Sequence, residues 1–297
     1  MRSLRFILIA VGLVVMFLGA GCSEDEWRGF PPEFPPGLAR YDYHDPAWSP
    51  TGEYIAYKYV VDPTGTLDTC GLYVYDLVNS TAVRLITSNS RVPMPYMPDF
   101  SPDGRWIAFS WYNQIWKCLV TADSLVQLTS GGEDFEPAWS PDGQRIAYFR
   151  AMSGIHIMNS DGSGDTLVVG GRDPQWLGER RIVFVGLYQN LFVFDLETGV
   201  EKLIFERPSD WVGDSVRELD ADHTGTRLLF SGWRPGEPPN VWRLDLETSR
   251  LTQLTTTGGD EAAWSPDGTE IVYTNTQLGR IWLMAADGSN KRPLFKG

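Results

Sequence analysis

The chain has 297 residues, with 38 acidic against 25 basic side chains and a formal net charge of −13. That balance excludes a nucleic-acid-binding role, because displacing counterions from phosphates needs a positive surface. It favours solubility and basic or cationic partners.

At the N-terminus, Arg2 and Arg5 form a short basic head, and Phe6 to Leu18 is an apolar run broken only by Gly12. The run is too short to cross a bilayer as a helix and matches the hydrophobic region of a secretory signal. Leu18-Gly-Ala-Gly-Cys22 resembles a bacterial lipoprotein processing site, although Gly19 stands where leucine is usual. The resemblance implies a signal peptide over 1–21 and lipid attachment at Cys22. Ser23 follows in place of an aspartate, which in such lipoproteins implies the outer membrane, here facing the periplasm. The expected protein is therefore held in the cell envelope by acyl chains, at about 0.8 kcal/mol per buried CH₂. Cleavage would leave 23 basic against 38 acidic side chains, a net charge near −15. Residues 22–43 are acidic and rich in proline, and are read as a partly extended tether.

From residue 44 onward the chain repeats itself. Asp45-Pro-Ala-Trp-Ser-Pro-Thr-Gly52 leads into Tyr54-Ile-Ala-Tyr57, and Pro98-Asp-Phe-Ser-Pro-Asp-Gly104 into Trp106-Ile-Ala-Phe109. Glu136 to Gly143 and Glu261 to Gly268 open two more copies, and worn ones begin at Asp173 and Glu218. Ser-Pro-Asp-Gly is turn chemistry: Pro presets φ, Asp bonds back to the backbone, and Gly takes the positive φ. After each turn come short β-branched and aromatic strands such as Leu72-Tyr-Val-Tyr75 and Ile281-Trp-Leu-Met284. Four strands recurring about every 42 residues, six times over, predict an all-β, six-bladed β-propeller of four-stranded antiparallel blades over residues 44–297.

The four nearly intact Trp/Phe-Ser-Pro-x-Gly motifs resemble the TolB-type, WD40-like propeller repeat family over residues 45–297. TolB itself carries an additional N-terminal domain absent from this sequence, so the resemblance is to the repeat family and not to TolB itself. The last unit ends in its own outer strand near Lys291 to Phe295, which leaves open how the ring closes and whether Leu38 to Tyr43 adds to an edge. Export permits a disulfide between Cys70 and Cys118, but the repeat places them near third strands of adjacent blades, far apart for such a bond. Their pairing stays open.

Three residues before each motif tryptophan or its equivalent stand Asp45, Met97, Glu136, Asp173, Glu218 and Glu261. Equivalent positions in a propeller converge on one channel mouth. The five acids are therefore candidates for binding a cation or a basic group of a partner; equally, each could accept local backbone N–H bonds at the inter-blade turn. Longer connections on the same face hold Tyr96, Trp111, Tyr112, Trp211, Trp233 and Arg234, residue types that anchor interfaces or pack over blades.

No Gly-x-Ser-x-Gly, His-Glu-x-x-His or phosphate-binding loop is present, and no catalytic residue is assigned. His44, His156 and His223 are scattered, and His156 alternates with apolar residues as a packed histidine would. Asp161-Gly-Ser-Gly-Asp165 hints at a calcium loop but reads as a hairpin turn. The expected protein is a monomeric, lipid-anchored scaffold or binding module without a cofactor, engaging a protein or peptide partner, with basic groups, through the mouth. The alternatives are a polysaccharide-acting hydrolase or lyase using Glu136, Glu218 and Glu261, or a propeller that binds Ca²⁺ or a small ligand.

Overall fold

The computed structural model describes residues 41–61, 70–88, 92–211 and 215–295. They form six sheets, each of four sequential antiparallel strands. Blade 1 contains β1 (Tyr41–Trp48), β2 (Tyr54–Val61), β3 (Gly71–Asp76) and β4 (Thr81–Thr87). Blade 2 contains β5 (Tyr96–Phe100), β6 (Trp106–Trp111), β7 (Gln114–Leu119) and β8 (Leu125–Gln127). Blade 3 contains β9 (Asp134–Trp139), β10 (Arg145–Arg150), β11 (Gly154–Asn159) and β12 (Thr166–Val169). Blade 4 contains β13 (Arg172–Trp176), β14 (Arg181–Val185), β15 (Leu191–Asp195) and β16 (Glu201–Phe205). Blade 5 contains β17 (Arg217–Ala221), β18 (Arg227–Gly232), β19 (Asn240–Asp245) and β20 (Arg250–Gln253). Blade 6 contains β21 (Asp260–Trp264), β22 (Glu270–Asn275), β23 (Arg280–Ala285) and β24 (Arg292–Pro293). The six-bladed propeller expected from the repeat is the fold observed.

The core is divided among six apolar layers, each shared by two neighbouring blades. Ala56 and Leu72 of blade 1 meet Ile107 and Phe109 of blade 2, and Ala108 and Ile115 meet Ile146 and Tyr148 of blade 3. The same arrangement continues through blades 4, 5 and 6. It returns to blade 1, where Val272 and Ile281 pack against Ile55 and Tyr57. At about 1.5–3 kcal/mol for each fully buried large apolar side chain, no blade is stable without both neighbours.

Closure uses no shared strand, since every blade among the described residues is complete from consecutive strands. Side chains at the seam do the work instead. Tyr43 packs 4.8 Å from Tyr59 and 4.8 Å from Phe295, ring centre to ring centre, and its amide donates to Gly279 O at 3.2 Å. Tyr41–Tyr43 thus belong to the inner strand of blade 1, not to a preceding tether. Cys70 and Cys118 are both buried, and no disulfide joins them.

The repeated turn works through its serine. In blade 3 the Ser140 hydroxyl accepts the Arg145 amide at 2.9 Å and donates to Asp142 at 2.6 Å, while Asp142 also accepts the Gln144 amide. Ser101 with Asp103 and Ser265 with Asp267 repeat the pattern, and Asp222 replaces the serine in the worn turn of blade 5. Gly143 sits at φ +69°, a left-handed backbone that glycine adopts without the strain of a side chain. Ser140→Ala is expected to cost about 1 kcal/mol in urea unfolding, because it orphans one amide in a partly buried turn. A loss below about 0.3 kcal/mol would show that water replaces the hydroxyl.

Candidate functional site

All six positions of the mouth ring fall in the left-handed region, with φ between 50° and 57° at Asp45, Met97, Glu136, Asp173, Glu218 and Glu261. Each lies at a bulge in its inner strand, where the pairing register with the second strand shifts. Such a backbone is costly for non-glycine residues and persists where surroundings hold it.

The holding groups are the acids themselves, linked head to tail around the axis. Glu261 Oε2 accepts the Asp45 amide at 2.9 Å, and Asp45 Oδ2 accepts the Met97 amide at 3.2 Å. Glu136 accepts the Asp173 amide at 2.5 Å, Asp173 accepts the Leu219 amide at 3.1 Å, and Glu218 accepts the Glu261 amide at 3.0 Å. Met97 has no carboxylate to pass on, and there the Ser110 hydroxyl takes the Glu136 amide at 3.1 Å. The structure thus brings the five predicted acids to one ring and gives each a backbone donor from the next blade.

Burial divides these carboxyls electrostatically. It pushes Asp45, Asp173 and Glu218 above the usual carboxylate range. Burial acts the same way on Glu261, but the His44 charge, with hydrogen bonds from His44, Thr274 and the Asp45 amide, holds it far below that range. His44 Nδ1 lies 3.4 Å from Glu261 Oε1. Arg217 bridges Asp260 at 2.5 Å and Glu218 at 3.4 Å, and its guanidinium lies 5.1 Å from the Trp233 ring centre.

A second pair of acids escaped the sequence reading. Asp99 accepts the Trp139 amide and Asp220 the Trp264 amide, each at 2.6 Å, from blades that stand opposite in the ring of six. Burial pushes Asp99 up to about 7 and Asp220 well above its ordinary value, with the charge of Asp99 adding to the latter. Both stand two residues after the ring position, where the other four copies carry Ala47, Ala138, Gln175 and Ala263, so an acid at that place in the repeat was the signal for them. Among the described residues no group of three or more His, Cys, Asp or Glu side chains is placed to hold a metal.

Around this ring stand the turns joining second to third strands, since the start of each inner strand pairs beside them. They carry exposed apolar side chains: Tyr112 in blade 2, Met152 in blade 3, Leu187 and Tyr188 in blade 4, and Leu278 in blade 6. Tyr188 is 83% exposed and, like Tyr112 and Met152, has a positive φ.

Of the other interface candidates, Trp211 requires correction. It is 2% exposed and packs on Phe230 and Trp242 in the layer between blades 4 and 5, so it is a core residue. Trp111 is half-buried and donates to Pro93 O, and Tyr96 lies against Phe135. Arg234 pairs with Asp210 at 3.3 Å and covers Trp242. Cys22, the signal segment and the tether as far as residue 40 lie outside the described residues. No helix of the described residues is long and apolar enough to cross a membrane.

Comparison with known proteins agrees with this architecture. Residues 69–160 match the family model of the dipeptidyl peptidase IV N-terminal region. The Agrobacterium fabrum protein Atu1656 is 31% identical over 106 residues, which is 34% of this chain and 33% of that protein. TolB from Acinetobacter baumannii superposes with a TM-score of 0.63 at 18% identity, over 84% of this chain and 62% of TolB. An oligogalacturonate lyase in complex with manganese gives a TM-score of 0.57 at 11% identity, over 85% of this chain and 78% of the lyase. The chain therefore spans about a third of the curated relative and under two thirds of TolB. In fold, the chain is a TolB-like six-bladed β-propeller, distinct from TolB itself.

Proposed function

We propose that this protein is an envelope-tethered binding module that holds a protein or peptide partner on the mouth face of its propeller. The observation that carries the reading is the crown of exposed Tyr112, Met152, Leu187, Tyr188 and Leu278 on turns surrounding the acid ring. Large apolar and aromatic side chains held outward on short turns are the groups that anchor interfaces. The net charge of −13 and the carboxylates inside the crown would draw a basic group of the partner to the same opening. The signal-like N-terminus and Cys22 support lipid anchoring, with the outer membrane and a periplasmic orientation as the proposed location. Glu136, Glu218 and Glu261 are already occupied by backbone donors, which favours a binding role over the hydrolase or lyase alternative.

The test is cross-linking of the tethered chain in envelope extracts, identification of the captured protein by mass spectrometry, and titration of that protein with variants. Tyr188→Asp combined with Tyr112→Asp is expected to weaken binding at least about tenfold while leaving Tm within about 1 °C, since both side chains are exposed. Unchanged affinity in the double variant would remove the crown from the interface.

A further inference from the structure

Blade 3 contains a constellation that neither the acid ring nor the crown uses. The Ser153 hydroxyl lies 2.7 Å from His156 Nε2, and His156 Nδ1 lies 2.8 Å from Asp165 Oδ1. Asp165 is held further by the Tyr148 hydroxyl on Oδ1 and by Arg150 Nη1 on Oδ2, both at 2.7 Å. Arg150 is fixed in turn by Asp134, which is fully buried. An ionised carboxylate only accepts, so the tautomer matched to Asp165 carries its proton on His156 Nδ1, and that tautomer presents an acceptor Nε2 to the Ser153 O–H.

The order of exposure also suits a nucleophile. His156 is 7% exposed and wedged against the Tyr148 ring, whereas Ser153 stands exposed at the end of the three-residue turn between β10 and β11. Its neighbour Met152 is fully exposed in a left-handed conformation, an apolar side chain beside the hydroxyl. Burial raises the Asp165 carboxyl, but its bonds from Tyr148, Arg150 and His156 outweigh this and keep it ionised below its ordinary range. A hydroxyl bonded to an imidazole that is itself oriented by a carboxylate is the arrangement that activates serine toward acyl carbon.

We propose that Ser153, with His156 as its base and Asp165 as the positioning carboxylate, is a nucleophilic site that accepts acyl groups from small, unhindered esters. Ser153 Oγ bonds to the ester carbonyl carbon while its proton passes to His156 Nε2. The carbon–alkoxy bond then breaks, and the imidazolium returns that proton to the leaving alkoxide, giving an alcohol and an acyl-serine. Water attacking the acyl-serine under the same base releases the carboxylic acid and restores the hydroxyl. The Ala151 and Ser153 amides are already spent on Glu133 O and Arg150 O, so these two do not form an oxyanion pair. The site is therefore fitted to reactive esters and slow turnover.

The experiment treats the intact protein with p-nitrophenyl acetate and with a fluorophosphonate, then maps adducts by peptide mass spectrometry. The expected result is one adduct, on Ser153, forming about 100-fold faster than on any other serine. His156→Gln and Asp165→Asn, each confirmed as folded by its melting curve, are expected to lose at least about tenfold in that rate. Adducts spread over several serines, no adduct on Ser153 in the unaltered protein, or an undiminished rate in both folded variants would overturn the proposal.

Discussion

Glu261→Ala is expected to lower the unfolding free energy by about 3 kcal/mol, the cost typical of breaking a buried charged hydrogen-bond network. Glu261 is where the last blade meets the first. Its Oε2 accepts the Asp45 amide at 2.9 Å and the Thr274 hydroxyl at 2.7 Å, and Oε1 faces His44. Alanine leaves the Asp45 amide and the Thr274 hydroxyl without that acceptor at a seam that joins chain segments some 216 residues apart. Glu261→Gln retains an acceptor and is expected to lose about half as much. The same truncation within the ring, at Glu136, leaves a seam already joined by a short chain connection and should cost less. Urea unfolding of the three variants decides it, and equal losses at positions 136 and 261 would show that closure has no special weight.

Stability is expected to fall by about 2 kcal/mol between about pH 5 and about pH 7.5, opposite to a protein dominated by paired carboxylates. Burial raises Asp99 to about 7 and raises Asp45, Asp173, Glu218 and Asp220 as well. In this window the native state binds more protons than the unfolded chain, whose carboxylates are already ionised, so unfolding becomes easier as pH rises. The raised His44 acts in the same direction: Glu261 outweighs the effect of its burial, and its stabilisation is lost as it deprotonates. Glu261 and the turn aspartates Asp103, Asp142 and Asp267 have depressed values and are ionised throughout the window, so they add no slope. Asp99→Asn keeps an acceptor for the Trp139 amide without the charge. It is expected to gain about 1 kcal/mol at about pH 7.5 and to flatten the slope. Unfolding free energies that are level or rising across the window would contradict the assignment of these acids as buried.

Much of the architecture was legible because its unit is local. The Ser-Pro-Asp-Gly turn closes through bonds within six residues, as Ser140 with Asp142 and Arg145 shows, so the motif announces itself in any copy. The worn copy of blade 5 kept the essential acceptor, since Asp222 bonds the Thr226 and Arg227 amides, whereas that of blade 4 has Leu177 in its place. The ring of acids was visible as five acidic residues at one repeat position. Its use was not, because each carboxylate bonds an amide of the next blade, between about 37 and 216 residues away. Trp211 was misread for a related reason: a tryptophan in a connection looks the same whether it stands free or turns back onto Phe230.

Repetition by itself therefore determined the strand count, the turn chemistry and the convergence of Asp45, Glu136, Asp173, Glu218 and Glu261 on one face. Tertiary structure alone decided that these acids spend their oxygens on neighbouring blades, that Asp99 and Asp220 accept the Trp139 and Trp264 amides, and that Ser153, His156 and Asp165 form one hydrogen-bonded line. The physical reason is range. A turn is stabilised by residues adjacent in sequence, whereas a carboxylate's role depends on which distant donor the ring, once closed, brings to within 3 Å of it.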